Sequence, residues 1–312
     1  MTPPAAQLTV HPVPGHGAED VVVDEAGRVY TGTDDGSVYR LSDDGRRIDR
    51  VGHTGGRPLG LELLPDGRVL VCDAHRGLLA LDPETGTVEE LTTLVHGQRM
   101  EFCNNAAVHS NGDIWFSDSS RLYGIDRWKA DVCEDTASGR LLRRAPDGEV
   151  EVVLEGLRFA NGVALAADES YVAVAETAAR TVVRRWLTGP RAGQRDLLVH
   201  DLPGYPDNIA RGSDGLIWVT IASPTDPVLE RIMAGPMLVR RLVWRLPAAV
   251  QPKPKRTVRV MAFDDSGATV HDLALPGDHY HMVTGVREHA GRVWLGSLEE
   301  GAVAVVDLPG HR

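Results

Sequence analysis

Short apolar alternations recur along this chain, each broken by a tight turn. The clearest read EDVVVDEAGRVYTGT, NNAAVHSNGDIWFSD, DNIARGSDGLIWVTI and TGVREHAGRVWLGSL. Apolar residues at every second position describe strands, and the Gly-containing turns between them describe hairpins. Six copies open at Glu19-Asp20, Leu59-Gly60, Asn104-Asn105, Asn161-Gly162, Asp207-Asn208 and Thr284-Gly285. Each continues into a second hairpin, such as GSVYRLSDDG after the first copy and GLLALDPETG after the second. Two hairpins make a four-stranded sheet, the unit of a propeller blade. The pattern therefore predicts an all-β fold, a six-bladed β-propeller, with residues 1–312 forming one domain.

Blades run about 40–50 residues, and the third and fifth copies are longer. The excess falls at 119–137 and 223–256. The second segment has apolar residues at Leu229, Ile232, Met233, Met237, Leu238, Leu242 and Val243, a helical spacing interrupted by Gly235-Pro236. It predicts a broken helical lid across one face of the ring, with an outer-rim helix as the alternative. Residues 6–13, AQLTVHPV, are expected to close the ring by pairing into the last blade.

Composition narrows the function classes. The chain is 312 residues long and 42% hydrophobic, with 33 Gly and 19 Pro concentrated at turn positions. The net charge is −11, from 33 basic and 44 acidic residues. That balance argues against a nucleic-acid partner, and the Pro-interrupted cluster Lys253 to Arg259 reads as a solvated loop. No run approaches the roughly 20 apolar residues of a membrane span. The opening MTPPAAQLTVHPVPGHG lacks the basic start and apolar core of a signal peptide. The expectation is a cytoplasmic protein with no membrane partner, monomeric or homodimeric. Cys72, Cys103 and Cys133 form no metal motif and are expected to be free thiols.

Equivalent positions in a closed ring of blades face one axis. Glu19, Asn104, Asn161 and Asp207 then converge, two carboxylates and two amide oxygens at one point. A hard cation such as Ca²⁺ takes six to eight oxygen ligands. No His or Cys occupies the aligned positions, which argues against zinc; Ca²⁺ is favoured over Mg²⁺, Mn²⁺ or Zn²⁺. The second-position residues Asp20, Asn105 and Asn208 stand ready as further ligands or supports. A divalent cation with open positions polarises a carbonyl or activates water. That chemistry fits hydrolysis of an ester, lactone or phosphoryl bond, with activated water or a carboxylate, Asp207 or Glu19, as the base. Arg99, Glu101, Asn105 and Tyr205 flank the openings as candidate substrate contacts. His281, just before the last opening, is the favoured auxiliary acid/base because imidazole titrates near neutrality.

Four runs carry a family resemblance: GAEDVVVDEAGRVYTGT, FSDSSRLY, FANGVALAADESYVAVAET and LPGYPDNIARGSDGLIWV. They resemble the strictosidine-synthase-like family, grouped with senescence marker protein/gluconolactonase, luciferin-regenerating enzyme, diisopropyl fluorophosphatase and the paraoxonases. The resemblance spans roughly residues 15–308. It implies a six-bladed propeller around a calcium or other divalent ion, with Glu19, Asn104, Asn161 and Asp207 as ligands. Asn208 matches a residue that joins the shell in the paraoxonases. The departures are informative. Thr284 stands where strictosidine synthase has its catalytic glutamate. Leu59 and Ala222 stand where the paraoxonases have histidines. Asn105 replaces the usual aspartate after the third-blade ligand. The expectation is a metal-dependent lactonase or esterase acting on a hydrophobic small molecule. A condensation, cyclisation or isomerisation enzyme on the same scaffold, and a non-catalytic binding propeller, are the alternatives.

Overall fold

The computed structural model describes residues 7–246, 251 and 253–308. Six four-stranded antiparallel sheets dominate it, each ordered as a simple meander. Their innermost strands begin at Val21, Pro58, Cys103, Ala160, Gly204 and Val283. Each innermost strand packs against those of both neighbouring blades, the sixth against the first included, so the ring is closed. The protein is a six-bladed β-propeller.

The alternation read from sequence has both phases buried. Val21 and Val23 join an apolar cluster with Trp294, Val303 and Val305 of blade 6. Val22, between them, joins a cluster with Leu61, Val69 and Leu81 of blade 2. Ala107 and Trp115 face blade 4, while Ala106 and Phe116 face blade 2. A strand whose two faces meet two different neighbours needs apolar residues in both registers. Six such clusters, one per pair of adjacent blades, form the core.

Closure of the ring comes from the N-terminus. Leu8–Pro12 pairs antiparallel with Ala302–Asp307 and completes blade 6. This is the closing strand expected within 6–13; residue 6 itself lies outside the described residues.

Trp218 is fully buried between blades 5 and 6, stacked on His271 at 5.4 Å, with its indole N–H 3.1 Å from Asp214 Oδ2. Trp218→Ala leaves a cavity there and is expected to cost about 3–5 kcal/mol, measurable as a lowered urea midpoint without a change in slope.

Both long connections leave from the same end of the ring. In blade 3 the second strand ends at Asp118 and the third starts at Gly139; in blade 5 the breaks are Pro224 and Thr257. The second strand runs back toward the start of the first, as Cys103↔Asp118 and Gly204↔Pro224 pairing shows. Chain inserted after it therefore stands over the openings of the innermost strands. The first insertion forms α1 (Trp128–Glu134) and the second α2 (Pro227–Met233) and α3 (Met237–Arg245). Asp226 caps α2 by accepting from the N–H groups of Val228 and Leu229, and the break at Gly235-Pro236 separates the two helices. The three helices pack together as a cap on the axis; the outer-rim alternative is not what forms. Positions 247–250 and 252 of the 223–256 segment lie outside the described residues.

Candidate functional site

The opening pairs share one local device. In five blades the ladder between the first and second strands breaks register across the pair, for example between Cys103 and Ala106 and between Ala160 and Val163. A bulge re-aims the side chains it contains, here toward the axis. The second positions alternate around the ring: Asp20, Asn105 and Asn208 in blades 1, 3 and 5, glycine in blades 2, 4 and 6. The glycines make room. A Cβ at Gly285 would lie 2.5 Å from Asp20 Cα, and one at Gly162 would lie 2.5 Å from the carbonyl carbon of Asn208. The polar blades thus close in over their glycine neighbours and tighten the ring.

At its centre, four buried side-chain oxygens have no hydrogen-bond donor among the described residues: Glu19 Oε2, Asn104 Oδ1, Asn161 Oδ1 and Asn208 Oδ1. The amide nitrogens are all engaged. Asn104 Nδ2 donates to Ser119 Oγ at 2.9 Å, Asn161 Nδ2 to Thr177 Oγ1 at 3.2 Å, and Asn208 Nδ2 to Glu19 Oε1 at 3.1 Å. These bonds turn the carbonyl oxygens away from the protein's donors. Buried acceptors are normally paired, and a cluster of unpaired ones is the electrostatic complement of a cation. Asp207 joins them, lining the same cavity as Glu19, Asn104 and Asn161.

The carboxylates report the same field. Burial, then the charges of Asp20 and Asp207, holds Glu19 well above the usual carboxylate range, against the pull of Arg57. Burial and the charge of Asp20 push Asp207 up to about 7 despite a hydrogen bond from Asn161. Asp20 also rises to about 7, chiefly through burial. Three carboxylates crowded in one channel favour protonation unless a cation is present to reverse the balance. The donor set therefore fits a hard divalent ion: Glu19, Asn104, Asn161, Asp207 and Asn208 would hold it. Among the described residues no three His, Cys, Asp or Glu side chains gather at metal-binding separation, so amide oxygens are an essential part of this set.

Above the oxygens the cavity, of about 120 Å³, is apolar. Its wall comes from the positions two residues before the openings: Phe102, Phe159, Tyr205 and Met282. Phe102 and Phe159 meet edge to face at 5.5 Å, and Trp128 of α1 lies 6.5 Å from Phe159. Phe159 and Met282 have positive φ, 62° and 50°. Left-handed backbone at bulky residues is strained and concentrates at functional sites. Leu229, Val243 and Trp244 of the cap complete the enclosure. Blade 2 supplies Leu59 in place of a ligand, and two residues earlier Arg57, whose Nη1 donates to Gly17 O at 3.1 Å. Of the aromatic wall only Tyr205 was read from the sequence, yet the aligned runs FCNN, FANG and YPDN carry the signal for all three.

Four candidates from the sequence sit elsewhere than expected. Asn105 is buried outside the cavity: its Nδ2 donates to Asp20 Oδ2 at 3.3 Å, and its Oδ1 accepts from Val163 N at 2.8 Å. It ties blades 1, 3 and 4 together and is not placed to touch substrate. Arg99 is exposed on a small hairpin and donates to the carbonyl of His75; Glu101 is exposed beside it, and neither lines the cavity. His281 is buried next to the cavity-lining Met282, with Nδ1 against Glu300 and Nε2 3.0 Å from both Glu299 and Arg256. Both ring nitrogens are engaged there, and His281 does not line the cavity. Tyr205 does line the cavity, but its hydroxyl donates to Glu230 Oε1 of α2 at 2.6 Å and so fastens the cap to the ring. Cys72, Cys103 and Cys133 are buried and unpaired.

The SMP-30/Gluconolactonase/LRE-like region matches residues 34–234, and the strictosidine synthase-like N-terminal region matches residues 5–41. The chain belongs to the SMP-30/gluconolactonase/LRE-like family. This family member is 32% identical to adipocyte plasma membrane-associated protein of Salmo salar over 307 residues, covering 90% of the chain and 73% of that protein. It is 32% identical to strictosidine synthase-like protein 6 of Arabidopsis thaliana, covering 93% and 78%. A gluconolactonase structure from Xanthomonas campestris superposes with a TM-score of 0.71 at 17% identity, covering 97% of this chain and 90% of that one. A calcium-binding protein, regucalcin, from Agrobacterium tumefaciens superposes with a TM-score of 0.66 at 14% identity, covering 96% and 95%. The last two likenesses establish the shared fold. No helix among the described residues of this propeller is long and apolar enough to cross a membrane.

Proposed function

We propose that this propeller is a divalent-cation-dependent lactonase or esterase acting on an apolar small molecule. The observation that carries the reading is the set of unpaired buried oxygens of Glu19, Asn104, Asn161 and Asn208 at the floor of an apolar cavity. Family membership beside gluconolactonases supports it. A bound Ca²⁺ supplies Lewis-acid polarisation of the substrate carbonyl. The chain's own residues do the rest. Asp207 faces the cavity and is the carboxylate placed to take a proton from the attacking water or to attack directly. Glu19 is held in place by Asn208, and Asn104 and Asn161 by Ser119 and Thr177. Phe102, Phe159 and the cap surround the floor with apolar surface, which strengthens charge interactions there. The setting proposed for it is the cytoplasm, as a monomer or homodimer.

The test is a panel of γ- and δ-lactones and aryl esters assayed across a calcium titration. Turnover is expected to rise with calcium occupancy and to vanish on chelation. Full calcium occupancy with no turnover on any ester or lactone overturns hydrolysis and leaves an ion that braces the ring.

A further inference from the structure

The cavity is chemically divided from floor to rim. Carboxylate and amide oxygens form the floor, and aromatic rings form the wall. Two cations, Lys129 and Lys253, are among the lining residues. They come from different elements: Lys129 from α1 in the blade 3 insertion, Lys253 from the segment that follows α3 in blade 5.

Several other charges of the cap have structural work. Arg241 pairs with Glu134 at 3.2 Å, Arg256 approaches Glu300 at 3.9 Å, and Lys255 lies 4.0 Å from Asp226, the cap of α2. Neither Lys129 nor Lys253 has a carboxylate within 4.0 Å among the described residues. They stand out against a chain of net charge −11. The segment that provides Lys253, residues 223–256, itself holds seven Lys and Arg against two Asp and Glu. A positive rim over low-dielectric walls concentrates anions at the cavity mouth, and lysine can rest its stem on apolar surface while its ammonium reaches polar groups.

We propose that the substrate carries a free carboxylate remote from its ester or lactone carbonyl, and that Lys129 and Lys253 recognise it. The inference rests on the hydrolase reading: the carbonyl is placed at the oxygen-lined floor, the apolar middle against Phe102 and Phe159, and the acid at the rim. The substrate class is thus an apolar ester or lactone with a second, ionised acid group. The two lysines select it over neutral analogues of the same shape.

The test is calorimetric and needs no turnover. Monomethyl adipate and dimethyl adipate, which differ by one carboxylate, are titrated into calcium-loaded and into chelator-treated protein. The monoester is expected to bind more than tenfold tighter than the diester in both forms, with a preference that weakens as salt rises. Each single variant, Lys129→Gln or Lys253→Gln, is expected to reduce the preference about fivefold. The double variant should abolish it and leave diester affinity unchanged, as a merely structural role would not. A preference that survives the double variant overturns the proposal. So does one that disappears from the wild-type protein on chelation, because the floor would then be reading the acid, and so does the absence of monoester binding. Failure of the underlying metal reading is seen separately, as no heat from calcium alone.

Discussion

Asp207→Asn is expected to lower ester or lactone turnover by about a thousandfold, within the range set for a lost general base, while the metal-free propeller becomes more stable. Both halves have one cause. Asp207 faces the cavity beside Glu19 and is held near a pKa of 7 by burial and by the charge of Asp20. An amide of the same shape removes the base and one negative ligand, so rate and calcium affinity fall together. It also removes a charge that raises Glu19, so the crowding of carboxylates eases. Stability sacrificed at a functional site is regained when the function is removed. Kinetics, calcium titration and thermal melts on one preparation check all three effects. Wild-type turnover in the variant would remove Asp207 from the chemistry, and a lowered metal-free melting temperature would make it a structural residue.

What the sequence disclosed follows from what a strand can encode. Alternation that buries Val21 and Val22 against different blades is a property of neighbouring residues, and so is the repeat of opening pairs. Ring closure then brings Asn208 to within 3.1 Å of Glu19 across a separation of 189 residues, and counting blades was enough to expect it. The misplacements share a different origin. His281 precedes an opening and so promised access, but its partners Glu299 and Glu300 arrive from the next hairpin connection, which no local pattern reveals. Asn105 looked like a cavity residue because its neighbour Asn104 is one. The bulge that aims Asn104 inward points Asn105 between blades, to Asp20 and Val163. Phe102 and Phe159 escaped notice for the reason that aromatic residues beside strands are usually core, whereas Tyr205 was expected at the site. Only their common offset from the ligand positions marks them as wall. The helix α1 carries Trp128 to the cavity from an insertion whose residues show no long apolar period.

Calcium is expected to raise the melting temperature by about 10 °C at pH 8 and by far less at pH 5. The difference follows from the three channel carboxylates. Asp20 and Asp207 titrate near 7 in the folded metal-free protein, and Glu19 is raised well above its ordinary value. In the unfolded chain they release protons near pH 4. Between these limits the folded state binds more protons than the unfolded one, so metal-free stability falls as pH rises from about 4 to 7. Ionised carboxylates are what a cation binds, so its affinity rises over the same interval. At a free concentration a thousandfold above its dissociation constant an ion stabilises by about 4 kcal/mol, and each kcal/mol moves the midpoint of a large domain by roughly 2–4 °C. Melts in calcium and in chelator at matched ionic strength, from pH 5 to 8, should therefore diverge steadily with pH. Asn161→Ala, which removes an unpaired floor oxygen and leaves all three carboxylates in the chain, should shrink the gap at pH 8. A calcium effect independent of pH would show that Glu19 and Asp207 do not hold the ion, and the oxygen ring would lose its assignment as the metal site.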